Sequence, residues 1–148
     1  MTRTNLRELA VQLTFMSDFD WNTAEELEEQ LFASDYYKTL KREFNLYEEF
    51  PNKAQRSQIA AVVAGVAEHR EELDGYISRY SIGWKLERIS RMCRAVMRVA
   101  MYEILYAEDV PTNVAVSEAV ELVRRYEDED AVAFVNGLLG SFVRGLQN

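Results

Sequence analysis

Apolar residues return every three or four positions through almost the whole chain, and that period admits helices and little else. Leu6, Leu9, Ala10, Leu13 and Met16 fall on one helical face, with Thr4 as the expected N-cap. A second segment opens at Asn22 or Thr23, carries Glu25 and Glu26 as a capping box would, and continues through Leu27, Leu31 and Phe32. Residues 34–50 are aromatic and charged, with room for a short helix around Leu40 before Pro51. From Ala54 the spacing predicts one long helix through Ile59, Val62, Val63, Val66, Leu73, Ile77 and Tyr80, and Gly83 marks a turn. Trp84 to Tyr106 reads as helix with a break inside it. Asp109-Val110-Pro111 stops that helix and restarts another at Thr112 or Asn113, which carries Val116, Val120 and Val123. The last helix holds Ala131, Phe134, Val135, Leu138, Phe142 and Leu146. No segment alternates as a strand, and six glycines with two prolines are too few for the turns of an all-β fold. The reading is an all-α bundle of six to seven helices in one domain, 1–148, with helical subdomains at 1–80 and 84–148.

Composition narrows the function. At 48% hydrophobic and 28% charged residues the chain is expected to fold. One cysteine, Cys93, excludes an internal disulfide and suits a reducing compartment. The apolar run Ala60 to Ala67 is too short to cross a bilayer, and no apolar segment follows Met1-Thr2-Arg3-Thr4, so a cytoplasmic protein without a membrane is expected. Catalytic constellations are missing. The single histidine, His69, sits in Glu68-His69-Arg70-Glu71-Glu72 and reads as solvated. One Cys and one His cannot build a zinc site of the usual kind. Arg91 and Arg94 would lower the Cys93 pKa if close, but no general base accompanies it, so a buried or interface thiol is favoured. No cofactor, metal or enzymatic activity is expected.

Seventeen Lys and Arg face 25 Asp and Glu, a formal net charge of −8 that argues against strong non-specific nucleic-acid binding. The arrangement of the arginines matters more than the total. Arg3, Arg7, Val11 and Phe15 recur every four residues and form one stripe, which suits phosphate contacts followed by a base stack and equally suits a solvated pair with Phe15 in the core. Lys85 to Arg98 is the most basic segment, with Arg88, Arg91, Arg94 and Arg98 on one side of a helix; it would meet RNA, an acidic partner or acidic helices of the same chain. Glu103 projects onto the apolar face and needs a partner. The run Glu127-Asp128-Glu129-Asp130 reads as helix capping or as an electrostatic brake on RNA. Ala133, Gly137 and Ser141 make a stripe of small residues that would admit another helix.

Arg98-Val99-Ala100-Met101-Tyr102-Glu103 resembles the Leu-Arg-x-Ala-x-Tyr-Glu signature of the NusB family of transcription antitermination factors. Asp109-Val110-Pro111, Ser117-Glu118-Ala119-Val120-Glu121-Leu122 and Phe134-Val135-Asn136-Gly137 follow in the family's order and spacing. Trp84-Lys85-Leu86-Glu87-Arg88-Ile89 and Arg7-Glu8-Leu9-Ala10-Val11-Gln12 are similar to its upstream segments. The resemblance implies an all-α fold and a non-catalytic role. NusB proteins pair with NusE, also a protein of the small ribosomal subunit, bind boxA RNA and join RNA polymerase with other Nus factors, notably on ribosomal RNA operons. Carried over by position, it implies RNA contacts at Arg3, Arg7, Gln12, Phe15, Tyr126, Asp130 and Phe134. It places Glu87 toward NusE, with Arg91 and Arg94 on the following turns. A free NusB surface would also allow a homodimer.

Some positions depart from the family pattern. Thr4 and Asn5 interrupt the basic N-terminus, Ala133 stands where a lysine is frequent, Tyr126-Glu127 replaces a common Phe-Gly, and Ser117 stands where Asn is common. Losing two or three phosphate contacts costs about one to several orders of magnitude in affinity at working salt. Weak RNA binding alone and stronger binding with NusE is therefore expected, the alternative being an adaptor that keeps the fold and has lost RNA affinity.

Overall fold

The computed structural model describes residues 1–17, 24–33, 37, 45–83 and 89–147. The expectations at Asn22, Thr23 and Leu40 lie outside these residues. Within them the chain is helical throughout: α1 (Arg3–Ser17), α2 (Ala24–Leu31), α3 (Lys53–Glu68), α4 (Arg70–Tyr80), α5 (Arg91–Tyr106), α6 (Thr112–Tyr126) and α7 (Glu129–Gln147), with a 3-10 turn at Asn45–Glu48. That is an all-α fold of seven α-helices among the described residues. Two compact units are present, Met1–Ala67 and Glu68–Asn148. The boundary precedes the division near residues 81–83 read from Gly83, because α4 packs on α5 and α7.

In the first unit α1 packs on α2. Leu9, Ala10 and Leu13 of α1 meet Leu31, Tyr37, Tyr47, Ile59 and Val63 in one apolar cluster. The cap of α1 is Thr2, not Thr4: its Oγ1 accepts from the Asn5 amide at 3.1 Å and its carbonyl accepts from the Leu6 amide at 3.0 Å. α3 opens on a reciprocal box that the sequence reading missed. The Gln55 amide donates to Asn52 Oδ1 and the Asn52 amide to Gln55 Oε1, both at 2.8 Å. Tyr37 is wedged between rings, 5.3 Å from Tyr47 and 4.9 Å from Phe50, both edge-on, and its hydroxyl donates to the Glu49 carbonyl at 2.7 Å. Burial, then the nearby Glu49 carboxylate, pushes its pKa up to about 12.

The long helix expected from Ala54 to Tyr80 is broken. α3 ends at Glu68, His69 turns the backbone at φ −101° and ψ 13°, and α4 begins at Arg70. The apolar period runs through the break, so Ile59 and Val63 fill the first core while Leu73 and Ile77 are buried in the second unit.

The second unit is built around α5. Every residue of α5 from Ala95 to Met101 is buried, and α4, α6 and α7 all pack against it. Ser90 caps it, accepting from the Cys93 amide at 3.0 Å. The break expected inside Trp84–Tyr106 thus falls before Arg91, with residues 84–88 outside the described ones. Pro111 supplies the cap position of α6 in extended conformation, as expected for a helix restarted at Thr112. On α7, Val135, Leu138 and Phe142 are buried, but Leu146 is exposed near the helix end.

One member of the basic stripe is structural. Arg98 is only 1% exposed and forks onto Asp74 of α4, Nε to Oδ1 at 2.7 Å and Nη2 to Oδ2 at 3.0 Å. The basic face read on the helical wheel therefore turns inward at Arg98. Glu103 is buried too, as its projection onto the apolar face requires. Among the described residues, the small-residue stripe is open at Gly137, where an added Cβ would meet nothing within 4 Å. Among the described residues, no helix is long and apolar enough to cross a membrane.

Candidate nucleic-acid interface

The sequence-derived site residues divide between the two units. In the first unit, α1 turns its stripe from solvent into the core and back. Arg3 is exposed, Arg7 half-buried, Val11 buried and Phe15 half-buried. The stripe exists because Leu9, Ala10 and Leu13 claim the core and leave the adjacent ridge for longer side chains. Phe15 is thus neither a core residue nor a bare one. It keeps partial access to solvent, which a base stack needs. Gln12 is half-buried, and its Oε1 accepts a hydrogen bond from the Tyr47 hydroxyl, which ties α1 to the 3-10 turn. Gln12 therefore has a structural duty that its sequence position did not disclose.

In the second unit, Tyr126 ends α6 with its ring 39% exposed. Asp130 is exposed in the first turn of α7, and Phe134, one turn on, is half-buried. Asp128 caps that helix, its Oδ1 accepting from the Ala131 amide at 2.9 Å. The neighbouring Glu127 accepts from Ser90 Oγ at 2.7 Å. Ser90 in turn holds the Cys93 amide, so the start of α5 and the α6–α7 connection are fixed to each other. The acidic run is thus at least half a scaffold: two of its four carboxylates position backbone, while Asp130 stays exposed on the helix.

The proposed partner residues lie beside this connection. Arg91 is exposed in the first turn of α5. Arg94 is half-buried, and its Nε is buried without a hydrogen-bond partner among the described residues. Glu87 lies outside the described residues. Neither arginine makes a thiolate of Cys93. Burial foremost, with Glu127 and Asp128 adding, raises the thiol pKa against the opposing pull of the Ser90 hydrogen bond.

Ser117 of α6 and Asn136 of α7, both from the motif segments, line one groove of about 790 Å³ with Asn113, Val120 and Gly140. Arg124, at its edge, pairs with Glu121.

Residues 4–144 match the model of the NusB family. The chain is 39% identical over 147 residues to a transcription antitermination protein NusB of Symbiobacterium thermophilum, covering 99% of this chain and 92% of that one. Its fold is similar to that of T. maritima NusB, with a TM-score of 0.80 at 28% identity over 97% of this chain and 92% of that chain. It is also similar in fold, at 21% identity and a TM-score of 0.75, to the antitermination factor NusB solved in complex with NusE and dsRNA, over 97% of this chain and 96% of that one.

Proposed function

The chain belongs to the NusB family of transcription antitermination proteins, and from that premise we propose that it acts by pairing with NusE on boxA RNA. The pair joins RNA polymerase with the other Nus factors and suppresses premature termination, mainly in ribosomal RNA transcription in the cytoplasm. Its work is binding, not catalysis. The observation that carries the reading is the outward ridge of α1, where Arg3 and Arg7 precede a half-exposed ring at Phe15. Arginines so placed hold phosphates, and the ring stacks a base. In the second unit, exposed Tyr126 and Asp130 with half-buried Phe134 supply aromatic surface and an acceptor for base amino groups. Arg91 and Arg94, with Glu87, face NusE.

The net charge of −8 favours a second reading, in which the fold and the NusE contact persist and RNA affinity is lost. Anisotropy titration of a boxA RNA, with and without NusE and at several salt concentrations, separates the two. RNA loading requires specific binding that tightens with NusE. Arg3→Ala/Arg7→Ala must then lower the slope of log K against log salt by about 1.4, the value for two single-strand phosphate contacts. NusE binding with no specific RNA binding in any condition leaves the adaptor.

A further inference from the structure

Where α4 meets α5, an aromatic cluster stands at the surface that neither RNA nor the Ser90 connection uses. His69 stacks on Tyr106, with centroids 4.3 Å apart and planes 22° apart. Tyr102 lies 5.4 Å from Tyr106 and 6.2 Å from His69, so the three centroids form a triangle. Tyr102 thus lies to one side of Tyr106, not over the face opposite His69. The Tyr106 hydroxyl donates to Glu72 Oε1 at 2.7 Å, and that bond raises the tyrosine pKa and keeps the hydroxyl a donor. Tyr106 is nonetheless 43% exposed. A ring held by a stack on one face and by a carboxylate at its hydroxyl is preorganised, so little ordering entropy is lost when a partner covers it.

The charge around it selects the occupant. Glu68, Glu71 and Glu72 on the α3–α4 stretch and Glu108 beyond α5 are all exposed. Arg70, the basic residue among them, leans to Asp74 at 3.9 Å. Glu72 at the Tyr106 hydroxyl, with these exposed neighbours in sequence, repels phosphates and attracts a cation. We propose that this patch docks an arginine side chain of a basic protein partner, the guanidinium lying against the exposed part of Tyr106 and pairing with Glu72. Arginine fits better than lysine because its planar fork stacks and pairs at once. The site is independent of the RNA reading, since it shares no residue with it.

His69 is the only histidine in the chain, so its imidazole carbon–proton signals report on the patch without assignment. The full chain is titrated with a nonapeptide of alternating Arg and Gly, its Lys counterpart and a ten-nucleotide RNA. The Arg peptide shifts the His69 signals saturably and more tightly than the Lys peptide. Tyr106→Leu and Glu72→Gln each weaken it by about fivefold, and Tyr106→Phe, which keeps the ring, retains most of the binding. Circular dichroism melts confirm that the variants fold. An Arg peptide that leaves His69 unmoved at millimolar concentration overturns the proposal, as does equal binding by Glu72→Gln. RNA that moves the signals more than the peptide overturns it in favour of a nucleic-acid contact.

Discussion

Removing Asp74 should hurt this protein more than removing Arg98, although the two make the same contact. The Arg98 side chain is 2% exposed and that of Asp74 22% exposed. Asp74→Ala takes from a buried guanidinium the carboxylate onto which it forks, and about 3–5 kcal/mol is the usual cost of breaking a buried pair. Arg98→Met conserves volume and strands a carboxylate that water reaches and that Arg70 approaches at 3.9 Å. Its cost should be about 1–2 kcal/mol, the penalty for an unsatisfied but partly solvated group. In the double variant no charge is left stranded, so its cost should fall well below the sum, giving a coupling of about 1–3 kcal/mol. Urea unfolding followed by far-UV circular dichroism measures all four corners of the cycle, provided the slope m is shared. A coupling under about 0.5 kcal/mol, within the usual additivity error, would refute the reasoning. So would a Asp74→Ala variant more stable than Arg98→Met, for then exposure would not decide which charge is costly to orphan.

Three further expectations are open to simple tests. Tyr37 has its pKa raised from 10.0 to about 12, so the native state holds its proton longer than the unfolded chain. The stability this confers is full below pH 10 and is lost as pH rises through about 12; Tyr37→Phe should abolish that part of the alkaline loss in chemical denaturation. Cys93 is 3% exposed with a raised pKa, so a disulfide reagent should leave the native protein unmodified and titrate one thiol on denaturation; rapid reaction of the native chain contradicts the assignment. Thr14 Oγ1 is buried without a hydrogen-bond partner among the described residues, so Thr14→Val should raise stability by about 1 kcal/mol in the same urea assay, and a loss would reveal a partner for the hydroxyl.

How far the sequence discloses this molecule depends on the range of each signal. α1, α6 and α7 are legible because each carries its own apolar stripe, and Pro111 marks where α6 starts. The break at His69 is not legible, since Val66 and Leu73 are two turns apart and an unbroken helix would serve them equally well. Arg98 misleads for a different reason. On a wheel it stands with Arg91 and Arg94, and the Asp74 that draws it inward lies 24 residues away. The Asn52–Gln55 box, by contrast, is readable from spacing alone. For the candidate site, local pattern identifies the Arg3–Arg7 stripe of α1 and the capping role of the acidic run. It does not disclose that Tyr47, 35 residues from Gln12, engages that side chain. The family resemblance supplied what periodicity lacked, because motif order records long-range packing that no local window contains.

The burial of α5 on all sides, unbroken from Ala95 to Met101, has a consequence for how such a chain can change over generations. A helix with one wet face accumulates substitutions there at little cost, but α5 offers no such face along two turns. Drift must be absorbed by the helices around it and by its own exposed ends. Variation at the surface and constancy in what holds the unit together are thereby assigned to different stretches of chain, and the surface can diverge without the frame being rebuilt.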